Sequence, residues 1–133
     1  MRAGVESLPA DLKIHGAFLS HPYDKGLPYR IWVFVYPSAP GGIDNPMINP
    51  VGNGALSLSV LGCSRLLVCV AEKDELREKG VCYYAAVKES GWRGEVELFE
   101  VKGEDHAFHV FNIDTENAKS MIKRLASFIN LQP

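Results

Sequence analysis

Hydrophobic and polar positions change their period several times along this 133-residue chain. Arg65 to Ala71 carries the unbroken apolar run Leu66-Leu67-Val68-Cys69-Val70-Ala71, which predicts a parallel strand covered by helices on both faces. Glu95-Val96-Glu97-Leu98-Phe99-Glu100-Val101 alternates acid with apolar, so it predicts a strand with one partly wet face near a sheet edge. Between the two, Leu76, Gly80, Tyr83, Tyr84 and Val87 share one face of a helix expected from about Glu75 to Ser90, with Gly91 placed as its stop. Strand, helix and strand imply a right-handed crossover. A last helix follows Asp114 or Thr115, either of which can cap it; Ala118, Met121, Ile122, Leu125, Ala126 and Ile129 recur at helical spacing, with Lys119, Lys123 and Arg124 mostly opposite.

Earlier in the chain, Lys13 to Ser20 reads as a short strand ended by His21-Pro22, because proline cannot donate to a continuing ladder. Met1 to Asp11 reads as a helix tail and loop with little apolar surface. From Pro22 to Gly54 six prolines and five glycines forbid long regular structure. Only Tyr29 to Tyr36 can form an element there, as a helix or a strand, and Leu56 to Leu61 one or two helical turns. Such an excursion is either a lid or binding loop, or a buried aromatic cluster without a ligand. The expected architecture is β-(lid)-β-α-β-α, class α/β, in a single domain over residues 1–133 with a lid-like insertion at about 22–54.

Composition narrows the partners. A 47% hydrophobic content suits a globular domain with a core, and a net charge of -2 with interspersed signs gives no field for nucleic acid or anionic lipid. A small molecule or another protein is the expected partner. Cys63, Cys69 and Cys82 are odd in number, lack metal-ligand spacing and lie in or beside apolar segments, as buried free thiols do. With no apolar leader after Met1 and no run long enough to span a bilayer, the expected compartment is reducing and cytoplasmic.

Candidate chemistry gathers at Gly103-Glu104-Asp105-His106-Ala107-Phe108-His109, directly after the second of the two strong strands. Loops outside the carboxyl ends of strands hold the chemistry of open α/β sheets. Asp74 lies just after the other strong strand, so parallel pairing brings Asp74 and His106 to one rim. An acid that orients a base is two thirds of a nucleophilic triad. The third member, a serine in a G-x-S-x-G elbow, has no counterpart in the sequence. Glu72 and Glu75 compete with Asp74 as orienter, and Asp105 competes with it for His106. His109 reads as structural, and His15 and His21 have no acid at a useful spacing. No metal-spaced cluster and no phosphate-cradling glycine loop occurs, so no cofactor is expected.

Four stretches together resemble a known family: KIHGAFLSHPY from Lys13 to Tyr23, DNPMINP from Asp44 to Pro50, CSRLLVCVAEKDELR from Cys63 to Arg77, and GEDHAFH from Gly103 to His109. In this order they look like the C-terminal part of plant carboxylesterases, in the hormone-sensitive-lipase-like branch of the α/β-hydrolases. The resemblance implies a partial α/β-hydrolase of three parallel strands with flanking helices, and hydrolysis of carboxylic esters by Ser, Asp and His. By position, Asp74 matches the triad acid and His106 the triad base. The family's H-G-G-G oxyanion motif and G-x-S-A-G elbow lie upstream of the matched part, so the chain looks truncated and is expected to be inactive alone. Family members continue HPY with an aromatic pair and glycine; here Tyr23 is followed by Asp24-Lys25-Gly26, which puts charge where an apolar lid contact is expected.

A contrasting expectation is a binding protein. The same family has gibberellin-receptor-like members that bind without hydrolysis, and these typically lack the histidine that His106 matches. A further expectation is that the first strand, Ile14 to Leu19, presents an open apolar edge, inviting a homo-oligomer or a separate N-terminal half.

Overall fold

The structure is a computed structural model that describes residues 13–20, 33–34, 36–47 and 49–130. The tail expected over residues 1–11 and most of the element expected over residues 29–36 lie outside the described residues.

Three parallel strands form one sheet in the order β1-β2-β3: β1 Gly16–Ser20, β2 Arg65–Ala71 and β3 Glu95–Val101. The pairing β2 to β3 runs in register from Arg65↔Glu95 to Ala71↔Val101, so the two strands end level. β1 pairs with β2 from Gly16↔Arg65 to Ser20↔Cys69. The first strand is therefore shorter than its apolar run, because β2 offers no partner before Arg65. Lys13 to His15 precede the ladder, and the Ser64 hydroxyl donates to the His15 carbonyl at 2.7 Å.

Side chains of β2 alternate between two cores. Leu66, Val68 and Val70 meet Tyr83 and Val87 of helix α1, Arg77–Glu89, on one face. On the other, Leu67, Cys69 and Ala71 meet Ala118, Met121 and Phe128 of helix α3, Glu116–Asn130. Burial on both sides is why this strand reads as continuously apolar. α1 begins two residues later than its pattern suggests, since the Asp74 carboxylate accepts the Leu76 N–H at 2.8 Å and the Asp74 carbonyl accepts from Arg77 at 3.0 Å, which holds a turn there. Leu76 and Tyr84 are half-buried beside Gly80, Tyr83 and Val87.

At the start of α3 the Thr115 hydroxyl accepts the Ala118 N–H at 3.1 Å, so Thr115 caps the helix. The buried face of α3 departs from the expected one: Ala118, Met121, Leu125 and Phe128 pack on the sheet, whereas Ile122, Ala126 and Ile129 are exposed. Both stripes satisfy helical spacing, and the underlying sheet selects one of them. Phe128 fits because β1 carries Gly16 below it, where a Cβ would lie 3.2 Å from the ring. A short helix α2, Phe108–Phe111, was not anticipated inside the histidine loop.

Of the excursion, the described part from Tyr36 to Gly54 consists of turns and the 3-10 turn Gly42–Asp44; Phe34 and Tyr36 are exposed. A second 3-10 turn, Leu58–Val60, stands where short helical structure was expected. Cys63 and Cys69 are buried, but Cys82 is exposed on the outer face of α1, contrary to the expectation of three buried thiols. No helix among the described residues is long and apolar enough to cross a membrane.

Two stability predictions follow from this packing. Met121→Ala, at a fully buried position, lowers unfolding free energy by about 2–5 kcal/mol in denaturant titration, whereas Ile122→Ala on the exposed stripe changes it by about 0.5 kcal/mol or less. Glu100 accepts from Arg77 at 3.2 and 3.1 Å and from Lys102 at 2.8 Å, and these bonds hold its carboxyl down at about 2 against the usual 4.5. A depressed folded-state value stabilises above the ordinary one, so the contribution is complete above about pH 4.5 and is lost as pH falls toward 2. Glu100→Gln should therefore lower Tm at pH 7 and leave it little changed at pH 2.

Candidate active site

Both candidate residues sit just past the level ends of β2 and β3. Asp74 follows Ala71 by three residues and His106 follows Val101 by five, on neighbouring loops at one rim. The loops are tied to each other before either side chain is considered. Glu72 donates its N–H to the Val101 carbonyl at 3.0 Å, and Lys73 donates to the Glu104 carbonyl at 2.9 Å. The Glu72 carboxylate accepts the Gly103 N–H at 2.8 Å, and Gly103 turns with a φ of 74°, a left-handed conformation suited to glycine. This backbone bond, aided by Lys102, holds the Glu72 carboxyl below its usual range. From α3, Asn117 donates to the Glu104 carboxylate at 2.7 Å.

Within this frame the His106 Nδ1 lies 3.0 Å from the Asp74 Oδ2. The Asp74 side chain is 2% exposed and that of His106 is 47% exposed, so the acid is sealed inside while the ring reaches the surface. The second Asp74 oxygen accepts the Leu76 N–H, fixing the plane of the carboxylate from the other side. A carboxylate acceptor requires Nδ1 to carry the proton, which puts the lone pair of the neutral ring on Nε2. The arrangement can therefore take a proton at Nε2 and stabilise the resulting imidazolium through a buried, oriented anion.

Of the competing residues, Asp105 and Glu72 have other partners. Asp105 accepts the backbone N–H of His106 at 2.6 Å, as a turn former, and Glu72 is committed to Gly103 and Lys102. Glu75 is exposed at the start of the α1 turn. His109 stacks edge-on against buried Phe108, with ring centroids 5.5 Å apart. His15 lies at the opposite end of β1, and His21 lies outside the described residues. Sequence reasoning missed the Leu76 N–H and the Glu72–Gly103 clasp. The first had a local signal, since an aspartate bonding the amide two residues on is a common turn device. The second depends on strand register and had none.

Among the described residues, no group of three His, Cys, Asp or Glu side chains is placed to hold a metal ion. A groove of about 800 Å³ lined by Ser59, Cys63, Arg65, Trp92 and Arg93 opens at the other end of β2 and β3, away from Asp74 and His106. The site geometry makes a direct prediction: nitrogen-15 NMR finds His106 protonated at Nδ1, and Asp74→Ala removes that preference and the slow exchange of its proton. An unchanged tautomer in Asp74→Ala contradicts the bond.

The chain was compared with known proteins. The family described by an alpha/beta hydrolase fold matches residues 17–110. Identity is 47% to the 2-hydroxyisoflavanone dehydratase of Glycyrrhiza echinata, over 97% of this chain and 44% of that protein, and 47% to the one from Glycine max, over 97% and 45%. It is 41% to the probable carboxylesterase 2 of Arabidopsis thaliana, over 90% of this chain and 42% of that one. The chain thus spans under half the length of the curated relatives it matches. Among solved structures, an esterase from Pyrobaculum calidifontis superposes with a TM-score of 0.64 at 20% identity, over 85% of this chain and 41% of its own, which shows the shared fold. A chain whose three parallel strands, flanking helices and sequence all match in this way belongs to the α/β-hydrolase family.

Proposed function

We propose that Asp74 and His106 are the acid and base of a serine hydrolase that cleaves carboxylic esters. The nucleophile and the oxyanion donors come from polypeptide outside these 133 residues. The observation that carries this reading is the 3.0 Å bond between a buried carboxylate and a half-exposed imidazole. In the proposed cycle His106 takes the proton of the serine as its oxygen attacks the ester carbonyl, and returns it to the leaving alkoxide; water then repeats the sequence on the acyl-enzyme. Asp74 holds the ring and offsets its transient positive charge. Without an attacking oxygen and donors for the oxyanion, the isolated chain has no esterase turnover above background. Buried Cys63 and Cys69, the latter with its thiol pushed up to about 11 by burial, suit a reducing, cytoplasmic setting.

A second reading is favoured by one finding, the 47% identity to two proteins named 2-hydroxyisoflavanone dehydratases, against 41% to a probable carboxylesterase. The same base at Nε2 can withdraw a carbon-bound proton while a hydroxyl leaves, so the pair suits elimination of water as well as acyl transfer.

One fusion separates these readings. The remainder of the Glycine max relative is joined ahead of Met1 as a single polypeptide, and assayed with p-nitrophenyl acetate and with a 2-hydroxyisoflavanone. Ester hydrolysis is the expected activity. His106→Ala lowers its turnover by about five to six orders of magnitude and Asp74→Asn by about four. If His106→Ala retains activity within tenfold of the parent, the proposed role is wrong. Dehydration without ester hydrolysis selects the second reading.

A further inference from the structure

Past the last rung of the ladder, Ala71↔Val101, the stretch that carries His106 has left the sheet, and bonds to its neighbours must hold it. Glu72 makes one of them with its side chain. It lies two residues before Asp74, and its carboxylate accepts at 2.8 Å the N–H of Gly103, three residues before His106. One side chain therefore joins the entry of the acid's loop to the entry of the base's loop. Gly103 turns there at a φ of 74°, and a Cβ on it would meet nothing within 4 Å, so no packing against Gly103 itself confines the turn. A turn in open space keeps its shape through its hydrogen bonds.

A series of charges aims the Glu72 carboxylate. The Lys102 ammonium lies 2.8 Å from Glu100 and 3.4 Å from Glu72, and Glu100 accepts from the Arg77 guanidinium at 3.2 and 3.1 Å. Arg77 donates its own N–H to the Asp74 carbonyl at 3.0 Å. The series Arg77, Glu100, Lys102, Glu72 thus begins on the turn of the acid and ends on the turn of the base. Its outer end is open to water, with the Lys102 side chain 70% exposed and that of Glu72 45% exposed. Exposed ion pairs contribute little to folding, so the consequence of this end of the series lies in geometry. Geometry is what a proton-transfer pair is sensitive to, since a displacement of about 1 Å can cost about a hundredfold in rate.

We propose that Glu72 is a positioning residue for His106: by holding the Gly103 N–H it fixes the turn that sets the His106 ring against Asp74. Glu72 acts through Gly103 and takes no part in proton transfer. Its effect on turnover rests on the reading of Asp74 and His106 as base and orienting acid, whereas its effect on the ring is independent of any activity.

The test follows both effects in the same variants, with circular dichroism confirming the fold of each. In the full 133-residue chain, nitrogen-15 NMR measures exchange of the His106 Nδ1 proton with water. Glu72→Ala speeds that exchange by about tenfold or more. Glu72→Asp keeps the charge but is one methylene too short for Gly103, and behaves like Glu72→Ala. Glu72→Gln keeps an acceptor oxygen for the Gly103 N–H and stays within about threefold of the parent. Glu97→Ala removes a carboxylate bonded to Arg124 nearer the start of β3 and leaves the exchange unchanged. In the fused full-length protein, Glu72→Ala and Glu72→Asp lower kcat for p-nitrophenyl acetate about ten- to a hundredfold with KM within about twofold, and Glu72→Gln restores it to within about threefold of the parent. Parent-like exchange in Glu72→Ala overturns the proposal, as does a lower Tm with kcat unchanged, which leaves Glu72 a merely structural residue. Glu72→Gln as impaired as Glu72→Ala, or Glu72→Asp as good as the parent, also overturns it, by assigning the effect to charge. Faster exchange in Glu72→Ala, beside a fused parent protein that hydrolyses nothing, upholds the positioning of the ring and counts against the acid–base reading alone.

Discussion

The in-register parallel pairing of β2 and β3 is the constraint on which the site depends. Because the ladder closes at Ala71↔Val101, the chain leaves both strands at one level and the next few residues of each must share one rim. Backbone bonds then tie the loops, Glu72 to Val101 and Lys73 to Glu104, before any side chain is asked to find its partner. A slip of one residue would turn every β3 side chain to the other face of the sheet. It would bring Glu97 and Val101 to the α1 side and would separate Asp74 from His106.

Burial divides the labour between the two residues. The buried Asp74 carboxylate is satisfied on both oxygens, by the Leu76 N–H and by the His106 ring, and a buried anion without such donors would be expensive. The His106 side chain remains half-exposed. Electrostatic support is local: the nearby network of Arg77, Glu100, Lys102 and Glu72 holds α1 against β3 and the Gly103 turn in place. The Asp74–His106 pair is thus carried on a frame whose own charges are already satisfied.

Much of this was legible in the sequence, for reasons particular to each element. β2 and β3 were expected at the residues where they occur, since a strand buried on both faces and a strand at an edge leave different periodicities. Asp74 and His106 stood out because each follows such a strand. The first strand was overextended, because apolar character persists in Ile14 while its hydrogen-bonding partner begins only at Arg65. On the last helix, helical spacing groups Ile122, Ala126 and Ile129 with Met121 and Leu125, whereas the structure exposes those three and buries Phe128. Periodicity marks every apolar stripe and does not say which one faces the chain's own sheet. The short helix α2 was invisible for a related reason: its entry through Ala107 at a φ of 54° is imposed by the surrounding turn, and alanine carries no local signal for it.

In the proposed enzyme the Asp74–His106 pair activates a serine supplied by polypeptide outside these 133 residues. The most direct measurement is the second-order rate of fluorophosphonate labelling in the fused full-length protein, which reports nucleophile activation without any substrate preference. Rapid labelling of one serine is expected, slowed by about three orders of magnitude or more in His106→Ala and substantially in Asp74→Asn. Labelling at the parent rate in His106→Ala would contradict it and leave the pair a structural feature of the rim.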